Sequence, residues 1–213
     1  MDQSVASVLR DYEKRSDAEN IRFNAMSGDE FVQHRDEFLL SVGPATGQLM
    51  HLLATQSKAK TLLEVGSSFG YSTIWLAEAA RINGGKLISL EAIPEKQEYA
   101  RTQLQKAGLV SFVDFRLGDA RQSIAAIDTA IDFVLLDLWK QYYIPCFDLI
   151  YPKLSPGALI VADNMIYPET TSQHAMDYRK HVRIKRDMQS VLLPVGSGLE
   201  VSRCTRGLET ILI

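Results

Sequence analysis

The stretch Thr61-Leu62-Leu63-Glu64-Val65-Gly66-Ser67-Ser68-Phe69-Gly70-Tyr71-Ser72 decides the fold of this chain. An apolar strand stops beside an acid, two glycines sit four residues apart, and an amphipathic helix follows from Tyr71. Glycine lets the backbone come close to a ligand, and the first helical turn offers N–H groups that no helical carbonyl uses. A strand, a glycine turn and a helix in that order cradle a nucleotide-like ligand.

The same alternation runs outward from this stretch. Strands are expected over Thr61–Val65, Lys86–Glu91, Phe112–Leu117, Phe133–Asp137 and Ala158–Ala162, with helices between them. Pro94 opens one of those helices, a first-turn position that suits proline. Parallel neighbours need crossover connections, so this pattern predicts a mostly parallel sheet with helices on both faces. Near the end, strands at Gln189–Pro194 and between Leu199 and Ile213 flank short glycine turns. They predict an antiparallel hairpin closing one edge and complete a seven-stranded α/β sheet. Residues 2–20 and 29–40 read as polar amphipathic helices, and Ala45–Gln56 as a further one. Residues 1–56 are therefore expected to form a helical cap over the ligand end of a Rossmann-like core spanning 57–213, all within one domain.

Composition narrows the function. The chain has 213 residues, 46% of them hydrophobic, and a formal net charge of −3, which suits one sizeable core and argues against a nucleic-acid partner. Cys146 and Cys204 stand alone and far apart, as in a reducing cytoplasm. The N-terminal stretch is charged, with no apolar leader, and no apolar run reaches membrane-spanning length, so a cytoplasmic protein without a membrane partner is expected. The basic cluster Lys180, Arg183, Lys185 and Arg186 reads as the solvated end of a helix. The amphipathic helices of residues 1–40 could serve as an interface between two copies.

In open α/β sheets ligands lie beyond the carboxyl ends of the strands. The first strand delivers Glu64, Gly66, Ser67 and Gly70, and the second ends in Glu91-Ala92, about twenty residues on, where an acid grips ribose hydroxyls. The third ends in Gly118-Asp119-Ala120, a turn that could meet an adenine edge. The fourth ends in Asp137-Leu138-Trp139-Lys140 and the fifth in Asp163-Asn164. Two carboxylates and an amide oxygen are hard donors that suit octahedral Mg²⁺ and not zinc. Each alone reads more readily as a cap of a helix or turn; together and beside Lys140 they read as a metal site. The glycine spacing E-x-G-x-x-x-G lacks the third glycine of pyrophosphate binders, which moves the reading from a dehydrogenase towards an S-adenosylmethionine enzyme. No G-x-S-x-G elbow supports a hydrolase, and the four histidines share no ligand spacing.

Several motifs carry a resemblance: Val42-Gly43…Gly47-Gln48-Leu49-Met50, Glu64-x-Gly66-x-x-x-Gly70-Tyr71-Ser72, Leu136-Asp137-x-Trp139-Lys140, Ala162-Asp163-Asn164 and Gly207-Leu208-Glu209. From Phe38 onwards the chain resembles the cation-dependent class I O-methyltransferases, the catechol type most of all. That resemblance implies a methyl transfer from S-adenosylmethionine to a small catechol-type phenol. It implies that Glu91 binds the ribose, that the glycine turn with Tyr71, Ser72 and Val42 holds the methionyl part, and that Asp119 and Ala120 meet the adenine with Trp139 packed against it. Asp137, Asp163 and Asn164 would hold Mg²⁺ and Lys140 would be the general base. Phe38 and Pro168 would wall the aromatic ring, Leu40 would lie near the sulfonium, and Glu200 would accept a hydrogen bond from the hydroxyl that is not methylated. Phe38 and Leu40 read equally well as core residues on an amphipathic helix. Leu138, Thr46 and Phe38 depart from the histidine, lysine and tryptophan of the catechol pattern. A caffeoyl-coenzyme A type of methyltransferase shares the D-x-x-K and D-N elements and stays open. A nicotinamide-dependent oxidoreductase and a non-catalytic binding protein fit the residues less well.

Overall fold

The computed structural model describes residues 2–168 and 172–208. A seven-stranded sheet has the order β3-β2-β1-β4-β5-β7-β6. Its strands are β1 (Thr61–Val65), β2 (Lys86–Glu91), β3 (Val113–Leu117), β4 (Ile131–Leu136), β5 (Leu154–Ala162), β6 (Met188–Leu193) and β7 (Leu199–Cys204). The first five are parallel neighbours, whereas β7 runs antiparallel to both β5 and β6. The hairpin expected from the terminal glycine turns is present, with β6 on the edge. A strand continuing beyond residue 208, and Glu209 with it, lies outside the described residues.

Strand residues alternate between two apolar layers, as a period of two requires. Leu62, Leu87, Phe133, Leu135, Val161 and Leu199 face one layer, built with α1 (Gln3–Asn24), α3 (Gly43–Gln56) and α4 (Tyr71–Asn83). Leu63, Val65, Ile88, Leu90, Val134 and Leu136 face the other, with Tyr143 and Phe147 of α7 (Tyr143–Ile150) and Tyr178 and Val182 of α8 (Ser172–Arg183). The remaining helices are α2 (Gly28–His34), α5 (Pro94–Lys106) and α6 (Ala120–Ala125). Ser27 and Glu30 form a reciprocal capping box that starts α2.

The chain order reverses between β1 and β4, so the connections leaving their carboxyl ends diverge and open a crevice. Two departures from the sequence reading bear on that crevice. First, β5 starts at Leu154, earlier than the expected Ala158, and tolerates Pro156-Gly157 because its register with β4 shifts between Ile131 and Phe133. Second, the helix expected to reach residue 40 ends at His34. After a 3-10 turn over Arg35–Glu37, Phe38 turns extended and Leu40 is left-handed at φ 49°. The Leu39 N–H donates to Glu19 Oε2 at 2.7 Å and the Ser68 hydroxyl donates to the Leu39 carbonyl at 3.1 Å. These tertiary bonds take the segment off its helix and lay it across the glycine turn.

Candidate active site

The glycine turn is built for close approach. Gly66 has φ 90°, and a Cβ there would run into the carbonyl oxygen of Asp137. The turn and the β4 end therefore touch backbone to backbone, which only glycine permits. Gly70 at φ 93° then starts α4, and a Cβ there would strike Ala100. The Ser67 side chain is buried with its hydroxyl unpartnered among the described residues. Such a hydroxyl beside an open backbone cradle is a ready donor for a bound ligand.

Several residues expected at the cofactor already hold partners within the protein. Glu64 is 0% exposed and accepts from Ser72 Oγ at 2.6 Å, Thr73 Oγ1 at 2.7 Å and Ser89 Oγ at 2.8 Å. Burial pushes its carboxyl up to about 7 despite these three donors. Glu64 and Ser72 thus brace the turn from behind. Glu91 stands at the rim as expected, but its carboxylate already ties loops together: it accepts from the Ser68 N–H at 2.7 Å, the Ala92 N–H at 2.8 Å and the Ile93 N–H at 2.9 Å. Tyr71 is buried edge-on to Tyr12 of α1, and the Tyr12 hydroxyl donates to the Phe69 carbonyl at 2.6 Å. Val42 is buried at the start of α3. Asp119 caps α6 after Gly118 and grips Arg121 at 2.6 Å, which holds its carboxyl down at about 2, and Ala120 is partly buried behind it.

At the ends of β4 and β5 the polar groups converge. Lys140 is buried and donates to the Tyr143 hydroxyl at 2.6 Å and to Asn164 Oδ1 at 2.9 Å. The Tyr143 hydroxyl lies 2.9 Å from the Leu136 carbonyl, to which it donates, and 3.2 Å from that of Asp163. Asn164, left-handed at φ 55°, donates its N–H to Asp163 Oδ1 at 2.6 Å. Burial depresses the Lys140 ammonium below the usual lysine range, against the opposing pull of Asp137 and Asp163. Burial likewise raises both Asp137 and Asp163, Asp163 further by its proximity to Asp137. Two desolvated carboxylates faced by a single, easily neutralised amine form an electron-rich pair that a divalent cation would compensate. Their donors and the Asn164 oxygen are of the hard kind that Mg²⁺ prefers. Among the described residues no group of three or more His, Cys, Asp or Glu side chains is placed to hold a metal.

The cap reaches this cluster. Trp139 is 48% exposed and carries the Arg35 guanidinium 4.3 Å above its ring. Phe38, three residues on, is buried under Arg22 at 5.0 Å, and Leu40 is exposed beside it. Pro168 is exposed and adjoins the undescribed residues 169–171. Thr46 is buried within α3 and its hydroxyl has no partner among the described residues, so no side chain there reaches the rim as a lysine would.

Glu200 differs most from its expected form. It is 0% exposed and already paired: Arg183 donates from Nε to Oε1 at 2.7 Å and from its terminal nitrogen to Oε2 at 3.1 Å, and Arg179 Nε lies 3.3 Å from Oε2. Arg183, 43% exposed at the otherwise solvated end of α8, thus reaches this buried carboxylate. The signal was present in the sequence as Arg179 and Arg183, four apart on one helix face. Tyr143, three residues after Lys140, brings its hydroxyl within reach of the amine. Arg35 had no signal, because only the folded cap brings it to Trp139. Among the described residues no helix is long and apolar enough to cross a membrane.

Similarity to known proteins agrees with this geometry. The model of the O-methyltransferase family matches residues 23–204. A catechol O-methyltransferase of Niastella koreensis is 39% identical over 131 residues, 60% of this chain and 59% of that enzyme, so the match spans under two thirds of the relative's length. Catechol O-methyltransferase B of Danio rerio is 30% identical over 97% of this chain and 76% of its own length. The solved structure of the O-methyltransferase TomG from Streptomyces achromogenes, in complex with S-adenosylmethionine, superposes with a TM-score of 0.74 at 25% identity, covering 96% of this chain and 91% of TomG. The chain belongs to the O-methyltransferase family.

Proposed function

We propose that this protein transfers a methyl group from S-adenosylmethionine to one hydroxyl of a small vicinal dihydroxyphenol, with Mg²⁺ or a similar divalent cation held by Asp137, Asp163 and Asn164. The observation that carries the reading is the Lys140–Tyr143–Asn164–Asp163 cluster at the ends of β4 and β5, beside the point where the Asp137 carbonyl meets the Gly66 turn. A divalent cation held there would supply Lewis-acid stabilisation of a phenolate.

The chain's own residues do the rest. A phenol with a pKa near 10 is a poor nucleophile while protonated. Lys140, depressed by burial, takes the phenolic proton at Nζ, and Tyr143 and Asn164 aim the amine by accepting from it. The phenol oxygen then bonds to the methyl carbon as the carbon–sulfur bond breaks, leaving the electron pair on sulfur. The Gly66–Gly70 turn, the Ser67 hydroxyl and Glu91 hold the donor, while Trp139 and the Phe38–Leu40 strap exclude water. Holding nucleophile, methyl and sulfur in line contributes on the order of 7–11 kcal/mol in well-oriented intramolecular models. Glu200, pinned by Arg183, orients the second hydroxyl through the lone pairs the guanidinium leaves open.

Methyl transfer to catechols and to caffeoyl-coenzyme A, each with Mg²⁺ and with EDTA, tests this. Turnover of free catechols abolished by EDTA is the expected result. Turnover of the thioester alone would keep the chemistry and discard the pocket of Phe38, Pro168 and Glu200. Activity indifferent to EDTA would remove the cation from the mechanism.

A further inference from the structure

The Arg179–Arg183–Glu200 cluster carries more positive charge than its one carboxylate needs. Glu200 on β7 lies directly opposite Ala162 on β5, and Ala162 precedes Asp163 in the chain. Directly opposed Cα atoms on antiparallel strands are about 5 Å apart, so Glu200 is one residue step from the catalytic cluster. It points to the α8 face, where the fully buried Tyr178 packs edge-on against Tyr143, the holder of Lys140, at 5.4 Å between ring centroids.

Arg183 alone satisfies Glu200 in a two-pronged bond through Nε and one terminal nitrogen. A guanidinium has five N–H donors on a planar fork, so the outer edge of Arg183 stays unused among the described residues, and its side chain is 43% exposed. Arg179 adds a second guanidinium. Its Nε comes within 3.3 Å of Glu200 as an ion pair, yet this buried donor makes no hydrogen bond among the described residues. Leaving such a donor unmade is costly, and its natural complement is a second carboxylate. Neutralising Glu200 accounts for one arginine and not for two.

We propose that Arg179 and Arg183 select the substrate, favouring a vicinal dihydroxyphenol that bears a carboxylate on its ring over a neutral or cationic one. This rests on the methyltransferase reading above. Glu200 orients the hydroxyl, and the two guanidiniums beside it receive the acid group. Arg179 and Arg183 are specificity residues that bind and do not react.

The test compares kcat/KM for 3,4-dihydroxybenzoate, catechol and dopamine in the wild type, Arg179→Gln and Arg183→Lys, alongside calorimetric titration of the first two phenols into the Mg²⁺-loaded protein. Arg179→Gln leaves the Arg183–Glu200 bond in place, which avoids stranding a buried carboxylate. The wild type is expected to favour 3,4-dihydroxybenzoate over catechol by about tenfold or more, as one charge-assisted hydrogen bond supplies, and to turn over dopamine least. Arg179→Gln should collapse that preference, and raised salt should weaken it. Equal use and equal binding of the benzoate and catechol would overturn the proposal, as would a preference that survives both substitutions. Absence of turnover with all three phenols would instead sink the methyltransferase reading, and the titration would still report whether the acid is preferred.

Discussion

Glu64→Gln isolates what it costs to hold a carboxylate behind the glycine turn. Burial lifts Glu64 from 4.5 to about 7 even with Ser72, Thr73 and Ser89 donating to it. A folded-state value above the unfolded one means that the native chain holds the proton more tightly. Its stabilising effect is therefore complete below about 4.5 and is lost as pH rises through 7. At about 1.36 kcal/mol for each pH unit between the two values, the wild type should lose about 2.5 kcal/mol between pH 5 and pH 8 from this group alone. The side chain is fully buried, so solvent screening takes little from that figure. Glutamine keeps the shape and the acceptor oxygen but does not titrate. Urea unfolding of both proteins at pH 5 and pH 8 cancels every other titrating group in the difference. The wild type should fall relative to Glu64→Gln by about that amount as pH rises. Parallel pH dependence in the two proteins would refute the reasoning.

Other outcomes follow from individual contacts. Tyr143→Phe removes the hydroxyl that Lys140 meets at 2.6 Å; denaturation should show a loss of about 1–3 kcal/mol, and kcat should fall as the amine loses its aim. Gly66→Ala puts a Cβ against the Asp137 carbonyl at φ 90°; the left-handed backbone alone costs about 1–2 kcal/mol, and calorimetry should find S-adenosylhomocysteine binding weakened, with an unchanged Kd refuting the cradle. Tyr12→Phe cuts the bond from α1 to Phe69; hydrogen exchange should quicken across α1, with a stability loss of about 1 kcal/mol.

The sequence by itself determined the sheet, its hairpin edge and the roster of rim groups, because those follow from local rules. Apolar runs broken by glycine and proline set the strands and helices, and a parallel sheet then forces each strand's following residues onto one rim. Lys140, Asp163 and Asn164 were legible as a cluster for that reason. Tertiary structure alone decided which rim groups were already spoken for. Glu64 turned inward because its hydroxyl partners come from β2 and α4, and Glu200 gained its arginines from α8. The Phe38–Leu40 strap left its helix because Glu19 and Ser68, remote in sequence, offered its backbone better bonds. Periodicity records which face of an element is apolar; it does not record which distant donor a buried acid will find, since that partner is fixed only when the elements pack.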